Sequence, residues 1–437
     1  MHTLEQLQAG ALAGAKRIKL ACGLTTFPRE ILDLADTLEV LDLSGNRLTC
    51  LPDDFGRLKH LKVAFFSDND FRVFPPVLAA CPDLDMIGFK ANRISYIPDE
   101  ALSPRLRWLI LTDNRLEALP ASIGHCGRLQ KMMLAGNKLK TLPPEMAACR
   151  SLELLRISAN ELAALPAWLL ALPRLSWLAF GGNPCSTAGP IPNNLVPIPW
   201  HSLRLAEQLG EGASGVIAKA DWQHQGQGQR VRPVAVKVFK GAVTSDGLPA
   251  DEMNACIAAG NHPNLVPVLG QVSQHPEQRQ GLVLGLIPPA FRNLGGPPSF
   301  LTCTRDTYPA GTRFSLAAVI RVAAGIAAAA RHLHARGFMH GDLYAHNILV
   351  DAEANPILGD FGAASPYHQA APHQAAALER LEVRAFGCLL EDLLAHLAPQ
   401  DKSLPPVAAL AELRQACMGE QVLLRPGFAA VCESLLF

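Results

Sequence analysis

Apolar positions in the first part of this chain keep a fixed phase with a series of asparagines. These are Asn46, Asn69, Asn92, Asn114, Asn137, Asn160 and Asn183, in steps of 23, 23, 22, 23, 23 and 23. Around each one the pattern L-x-x-L-x-L-x-x-N-x-L recurs. It is clearest at Leu38, Leu41, Leu43, Asn46 and Leu48, and again at Leu106, Leu109, Leu111, Asn114 and Leu116. Ile18, Leu20 and Gly23 keep the same phase one step earlier, as a degenerate first copy. Alternation of inward and outward side chains across each leucine triplet predicts one short strand per repeat. A Leu-Pro or Ile-Pro pair follows most of the asparagines: Leu51-Pro52, Ile97-Pro98, Leu119-Pro120, Leu142-Pro143 and Leu165-Pro166. Proline lacks an N–H, so this side of each repeat is expected to be irregular.

One such repeat cannot bury its own apolar row, so neighbours must stack into a shared core. The asparagine amide, at the turn after the strand, can satisfy backbone groups of adjacent coils. On these residues the chain resembles the leucine-rich-repeat family over 15–185, which implies an α/β repeat solenoid of horseshoe shape. The strand positions between the leucines form two columns on the expected concave face. One runs Val40, Val63, Met86, Trp108, Lys131, Leu154, Trp177; the other runs Asp42, Phe65, Gly88, Ile110, Met133, Arg156, Ala179. They are unusually apolar for a solvated face and predict a protein-docking surface. Its anchors would be Phe65, Met86, Trp108, Ile110, Met133 and Trp177, facing another protein or the second half of this chain.

Composition narrows the class. The chain has 437 residues, with Lys plus Arg and Asp plus Glu at 39 each, so nothing in the charge balance points to nucleic acid or an anionic membrane. Eleven scattered cysteines, three of them at one repeat position (Cys81, Cys126, Cys149), suggest a reducing compartment rather than a disulfide framework. The opening residues show no basic region followed by an apolar run. The most apolar stretch, Leu316 to Ala330, is interrupted by Arg321 and reads as a core helix too short to span a bilayer. The expectation is a cytoplasmic protein with a repeat domain over 1–185, a stiff proline-rich linker over 186–199, and a second domain over 200–437. Such a linker leaves no room for a membrane span between the two halves.

From Trp200 onward the pattern changes. Leu209 to Ile217 reads L-G-E-G-A-S-G-V-I, with Gly210, Gly212 and Gly215 letting backbone approach phosphates. Val234-Ala235-Val236-Lys237 ends a strand in lysine, and Glu252 follows 15 residues later at the start of a helical stretch before His262-Pro263-Asn264-Leu265. His340-Gly341-Asp342-Leu343 precedes Asn347, and Asp360-Phe361-Gly362 follows. In this order the motifs resemble the protein-kinase signature set, over about 200–437. The resemblance implies an α+β bilobal protein-kinase-like domain using ATP and Mg²⁺. Lys237 would contact the α and β phosphates and Glu252 would hold it by an ion pair. Asp342 would orient the acceptor hydroxyl and take its proton. Asn347 and Asp360 would bind Mg²⁺. Gly210, Gly212, Gly215, Ile217 and Ala235 would line the nucleotide, with Leu284 and Leu286 in the hinge. The whole chain resembles bacterial leucine-rich-repeat protein kinases, and serine/threonine kinase is the expected class.

The chain departs from that family in several places. Gly341 stands where an arginine that pairs with a phosphorylated activation loop is usual, which argues against loop-phosphorylation control. Only 22 positions separate Asp360 from Glu382, the latter in E-V-R-A-F-G, similar to the kinase D-x-x-S-F-G helix. No A-P-E motif is visible, with Glu379 a weak substitute, so Arg425 is expected to lack its usual glutamate partner. Tyr344 replaces the lysine of serine/threonine kinases, and His346 the arginine of many tyrosine kinases, so these positions do not decide specificity. Pro288 to Arg313 is a Pro/Gly-rich insert, read as a surface loop, with help in replacing the reduced docking platform as the alternative. Two alternatives stand beside the kinase reading. His-Gly-Asp also resembles small-molecule phosphotransferases of the same fold, and an eroded activation segment suits a pseudokinase scaffold.

Overall fold

Each leucine triplet forms a three-residue strand, because its outer leucines have only the interior in which to hide. In the computed structural model these are β1 (Arg17–Lys19), β2 (Val40–Asp42), β3 (Val63–Phe65), β4 (Met86–Gly88), β5 (Trp108–Ile110), β6 (Lys131–Met133) and β7 (Leu154–Arg156). They pair parallel in sequence order, so Val40, Val63, Met86, Trp108, Lys131 and Leu154 align across the sheet. A short helix α1 (Leu4–Gln8) precedes them, closed by a Thr3–Gln6 capping box. The opposite side of the coils is built from single 3₁₀ turns such as Asp53–Arg57, Ala121–His125 and Pro144–Ala148, most of them begun by a proline.

The structure describes residues 2–186, 195–224 and 230–436. The chain divides into two compact units, one of Met1–Leu175 with Asn183–Cys185, the other of Ser176–Gly182 with Ser186–Phe437. Sequence phase alone puts 176–182 with the repeats; the contacts of that segment put it in the second unit.

Two devices hold the repeat coils together. The first is a ladder of buried asparagines. Asn114 Oδ1 accepts the Ile94 N–H at 2.9 Å, and its Nδ2 donates to Phe89 O at 2.8 Å and Leu111 O at 3.1 Å. Asn137 repeats this with Leu116, Leu111 and Leu134. Each amide thus ties its own coil to the one before, satisfying buried groups that no strand partner reaches. The second is apolar packing, in which phenylalanines replace leucines in the middle coils. Phe66 stacks on Phe89 at 4.9 Å, and Phe71 meets the same ring edge-on at 5.0 Å. The repeat cysteines are interior packing groups. Burial pushes the Cys81 and Cys126 thiols up to about 12 and Cys149 to about 11.

The second unit begins with β8 (Trp177–Ala179) and continues with β9 (Pro197–Pro199), β10 (Leu203–Glu211), β11 (Gly215–His224), β12 (Arg230–Phe239), helix α2 (Pro249–Ala259), β13 (Val268–Ser273) and β14 (Gly281–Gly285). Strands β9 to β14 form one sheet in the order β10-β11-β12-β14-β13-β9. The end of the expected linker is therefore not free chain, since Pro197–Pro199 pairs parallel with Gln271–Ser273 at the sheet edge. Proline is tolerated there because an edge strand has one row of unused N–H positions. Positions 187–194 of that linker lie outside the described residues.

A helical part follows, with β15 (Arg292–Asn293), α3 (Leu316–His334), β16 (Phe338–Met339), β17 (Ile348–Val350), β18 (Pro356–Leu358), β19 (Ser365–Pro366), α4 (Pro372–Ala395), α5 (Pro405–Cys417) and α6 (Phe428–Ser434). Helix α3 runs 19 residues and is long and apolar enough to cross a membrane by length and composition. In this structure its Val319, Val322, Ala323, Ile326 and Ala330 are buried in the second unit. The insert after β14 is also more than a surface loop. Arg305 reaches Glu391, Asp392 and Cys388 O on α4, and Asp306 accepts the Ala345 N–H at 2.5 Å and pairs with His346 at 2.6 Å.

Replacing Asn114 by alanine leaves the buried Ile94 N–H unpaired and removes one of the amide donors to Phe89 O and to Leu111 O, which keep those of Asn92 and Asn137. The expected loss is about 3 kcal/mol of repeat stability, read as a lower urea midpoint. A loss below about 0.5 kcal/mol would show that water or rearrangement satisfies these groups.

Candidate active site

The sheet and the helical part of the second unit enclose a cavity of about 530 Å³. Its upper wall comes from the β10–β11 turn and the facing strand β12. Leu209, Gly212, Gly215, Ile217, Ala235 and Lys237 all line it. The turn closes on itself through Gly212 N to Gly215 O at 2.9 Å, and Lys240 steadies it by bonding Glu211 and Gly212 O. Gly210 is not on the wall; it lies within β10, paired with Ile217. At the back, Leu284 aligns with Ala235 across β12 and β14, and Leu286 continues the same wall. The sequence reading did not single out Val268 or Leu349, which also line the cavity. Their signal was available: each is an apolar residue in a short strand next to a motif, but the motif itself does not name them.

Lys237 reaches across to Glu252 on α2 and forms an ion pair, both side chains well buried. Burial opposes the lysine's charge, yet the Glu252 carboxylate, with Asp360 beyond it, raises its pKa above the ordinary value. The second Glu252 oxygen is buried without a partner. Asp360, with positive φ of 54°, lies on the cavity wall with Lys237 and accepts the Gly362 N–H at 3.2 Å. Phe361 packs on the His340 ring at 5.2 Å.

Asp342 and Asn347 lie in the loop between β16 and β17 rather than on the cavity wall. Asn347 Nδ2 donates to Asp342 Oδ2 at 2.8 Å and to Asp342 O at 3.0 Å. Gly359 N donates to Asn347 O at 3.0 Å, and Ile348 pairs with Leu358. The β17–β18 hairpin thereby brings Asn347 and Asp360 to the same end. No group of three or more His, Cys, Asp or Glu able to hold a metal occurs among the described residues. An Asp–Asn oxygen pair is nonetheless the donor set that suits a hard divalent ion sharing its shell with phosphate and water.

Beneath this loop, Glu382 on α4 is fully buried. Its carboxylate accepts the N–H of His340 at 3.1 Å and of Gly341 at 2.6 Å, and pairs with His334 at 2.8 Å. Burial acts to raise its pKa, but the His334 bond and the Gly341 N–H prevail and hold it below the ordinary carboxylate range. His340 bonds Gly359 O at 2.9 Å and is a packed structural residue. Glu379 pairs with Arg380 and accepts the Phe428 N–H, while Arg425 bonds Gly419 O and Arg380 O. Tyr344 is turned inward and His346 is bound by Asp306. Burial opposes the His346 charge, and the Asp306 bond raises its pKa.

Comparison with known proteins agrees with this geometry. Residues 203–386 match the protein tyrosine and serine/threonine kinase family, and 104–162 and 37–58 match leucine-rich-repeat families. The rice L-type lectin-domain containing receptor kinase S.7 is 28% identical over 227 residues, 46% of this chain and 29% of that protein. Mouse ephrin type-A receptor 8 is 28% identical over 162 residues, 37% of this chain and 14% of the receptor. The rat form is 29% identical over 161 residues, 37% of this chain and 39% of that protein. The chain thus spans well under half the length of the curated relatives it matches.

Glu382→Gln replaces one acceptor oxygen by a donor facing another N–H, at an expected cost of about 2–4 kcal/mol. The carboxylate is held low in the fold, so its contribution is full above about pH 4.3, the unfolded value. It is lost as pH falls through the lower folded value. Unfolding midpoints of wild type and Glu382→Gln should therefore converge on acidification. A gap that stays constant down to pH 2 would contradict this.

Within this one chain, the coils carrying the asparagine ladder hold the leucine-rich-repeat matches, and the unit carrying the Lys237–Glu252 pair holds the match to the protein tyrosine and serine/threonine kinase family.

Proposed function

We propose that this chain transfers the γ-phosphate of ATP to protein hydroxyl groups, with serine and threonine as the first acceptors to test. The observation that carries the reading is the assembled Lys237–Glu252 pair sharing a cavity wall with Asp360. In this reading Lys237, kept charged by Glu252, binds the α and β phosphates. Leu209, Ile217, Ala235, Leu284 and Leu286 bury the adenine, and the turn at Gly212 and Gly215, reached from Gly210, covers the phosphates. Asn347 and Asp360 hold Mg²⁺, which would neutralise charge on the transferring group. Asp342, oriented by Asn347, accepts the proton of the incoming hydroxyl.

The repeats recruit a protein partner or substrate on their strand face. Phe65, Trp108, Ile110 and Met133 are half-buried there, while Met86 is buried. Trp177, expected in the same column, is instead engaged in the second unit, where it stacks on Tyr344. We read the chain as a cytoplasmic enzyme similar to bacterial leucine-rich-repeat kinases, supported by the buried face of α3. The short activation segment gives a second reading some weight, phosphotransfer to a small molecule, because a peptide platform is reduced.

Purified full-length chain with ATP and Mg²⁺ should label protein acceptors, and Asp342→Asn should lower the rate on the order of 10²- to 10⁴-fold. Phosphoamino-acid analysis then names the residue. Label only on small-molecule acceptors would favour the second reading, and nucleotide binding without transfer would refute both.

A further inference from the structure

The catalytic loop and activation segment of the second unit are held by a piece of chain far away in sequence. Trp177 is 1% exposed, stacks on Tyr344 at 4.4 Å with an interplanar angle of 6°, and donates Nε1–H to Leu343 O at 3.1 Å. The backbone N–H groups of Phe180 and Gly181 both donate to Ser365 Oγ, at 2.9 and 3.0 Å. Ser186 Oγ donates to Pro366 O at 2.8 Å, and Arg384 on α4 donates to Ser176 Oγ at 2.8 Å. One strand and its flanks therefore grip Leu343–Tyr344, one and two residues beyond Asp342, and Ser365–Pro366, three and four residues beyond Gly362.

The same contact explains the glycine in His-Gly-Asp. Gly341 has φ of +75°, where a side chain is strained, and a Cβ there would lie 2.7 Å from both Leu178 O and Ala363 O. An arginine at this position, usual in the family, would collide with the 176–182 segment. The space that an arginine and its phosphate partner would use is filled by backbone. Phosphorylation cannot substitute in this state. Ser365 is fully buried with its hydroxyl bonded three ways, and the buried Tyr367 bonds His334 at 2.6 Å.

We propose that Ser176–Gly182 with Ser186 is a cis-acting brace, and that Trp177 and Ser365 are positioning residues that hold the catalytic loop and activation segment in place of an arginine–phosphate pair. Neither touches the reacting atoms; both act through Leu343–Asp342 and Ala363–Pro366. The proposal rests on the kinase reading for its rate effect but not for its structural content.

Two measurements on the full chain test it and separate the two. The variants are Trp177→Phe, which keeps a ring but loses the N–H, Trp177→Ala, and Ser365→Ala, which removes the acceptor for two N–H groups. Amide hydrogen exchange of 338–345 and 363–368 should accelerate in Trp177→Ala and Ser365→Ala, and less in Trp177→Phe, while 230–285 stays unchanged. In turnover assays kcat should fall on the order of 10- to 10²-fold with the KM for ATP nearly constant, since a misplaced loop costs rate without emptying the nucleotide cavity. Unchanged exchange in all three variants would overturn the brace. A kcat that rises would overturn it too, marking the segment as a brake. Absence of turnover in the wild type would sink the kinase reading alone, because exchange would still decide the brace.

Discussion

The candidate active site depends on one buried carboxylate. Glu382 stands at the meeting of α3, the loop carrying Asp342 and α4, and its carboxylate accepts from His340 N, Gly341 N and the His334 ring. A charge buried this completely is stable only when fully hydrogen-bonded, so the three donors and the acid fix one another. The loop that results carries Asp342 and Asn347 toward Asp360. Gly341 then has to be glycine, because Glu382 holds its N–H on one side while two carbonyls press on the other.

The repeat unit solves the opposite problem. Among the described residues its strands are three residues long and its helical turns short, so many backbone groups would be left unpaired inside the coils. The asparagine ladder answers that, one amide per coil, and the cost of its polar side chains is offset because each bonds to two neighbouring coils. Lateral stacking of Phe66, Phe71, Phe74 and Phe89 adds the apolar part. Stability in such an array is a sum over neighbours.

Much of this was legible in the sequence. The repeat phase fixed β2 to β7 and the asparagine roles, because a 23-residue period leaves little freedom. The Lys237–Glu252 pair was implied by the resemblance of the motifs to the kinase set, whereas the Asp342–Asn347 bond was not anticipated, because Asn347 was read only as a metal ligand. Glu382 was visible as a motif variant, although its three donors were not. What escaped depends on long-range contact. Nothing in the repeat phase says that Trp177 stacks on a ring 167 positions later in the chain. Nor did the insert's composition reveal that Arg305 and Asp306 pin α4 and the catalytic loop, because ion pairs between distant segments leave no local period. Pro197–Pro199 escaped for a related reason: proline reads as linker unless the edge strand it joins is known.

The central claim is that this kinase domain is assembled as it stands, with its loop order built into the chain rather than added by phosphate. The most direct test is the turnover of full-length protein treated with phosphatase and verified phosphate-free by mass spectrometry, with ATP, Mg²⁺ and protein acceptors. The account predicts transfer from the first turnover at a constant rate, equal to that of untreated protein. A lag that ends only as the chain acquires phosphate, or no transfer until it does, would contradict it.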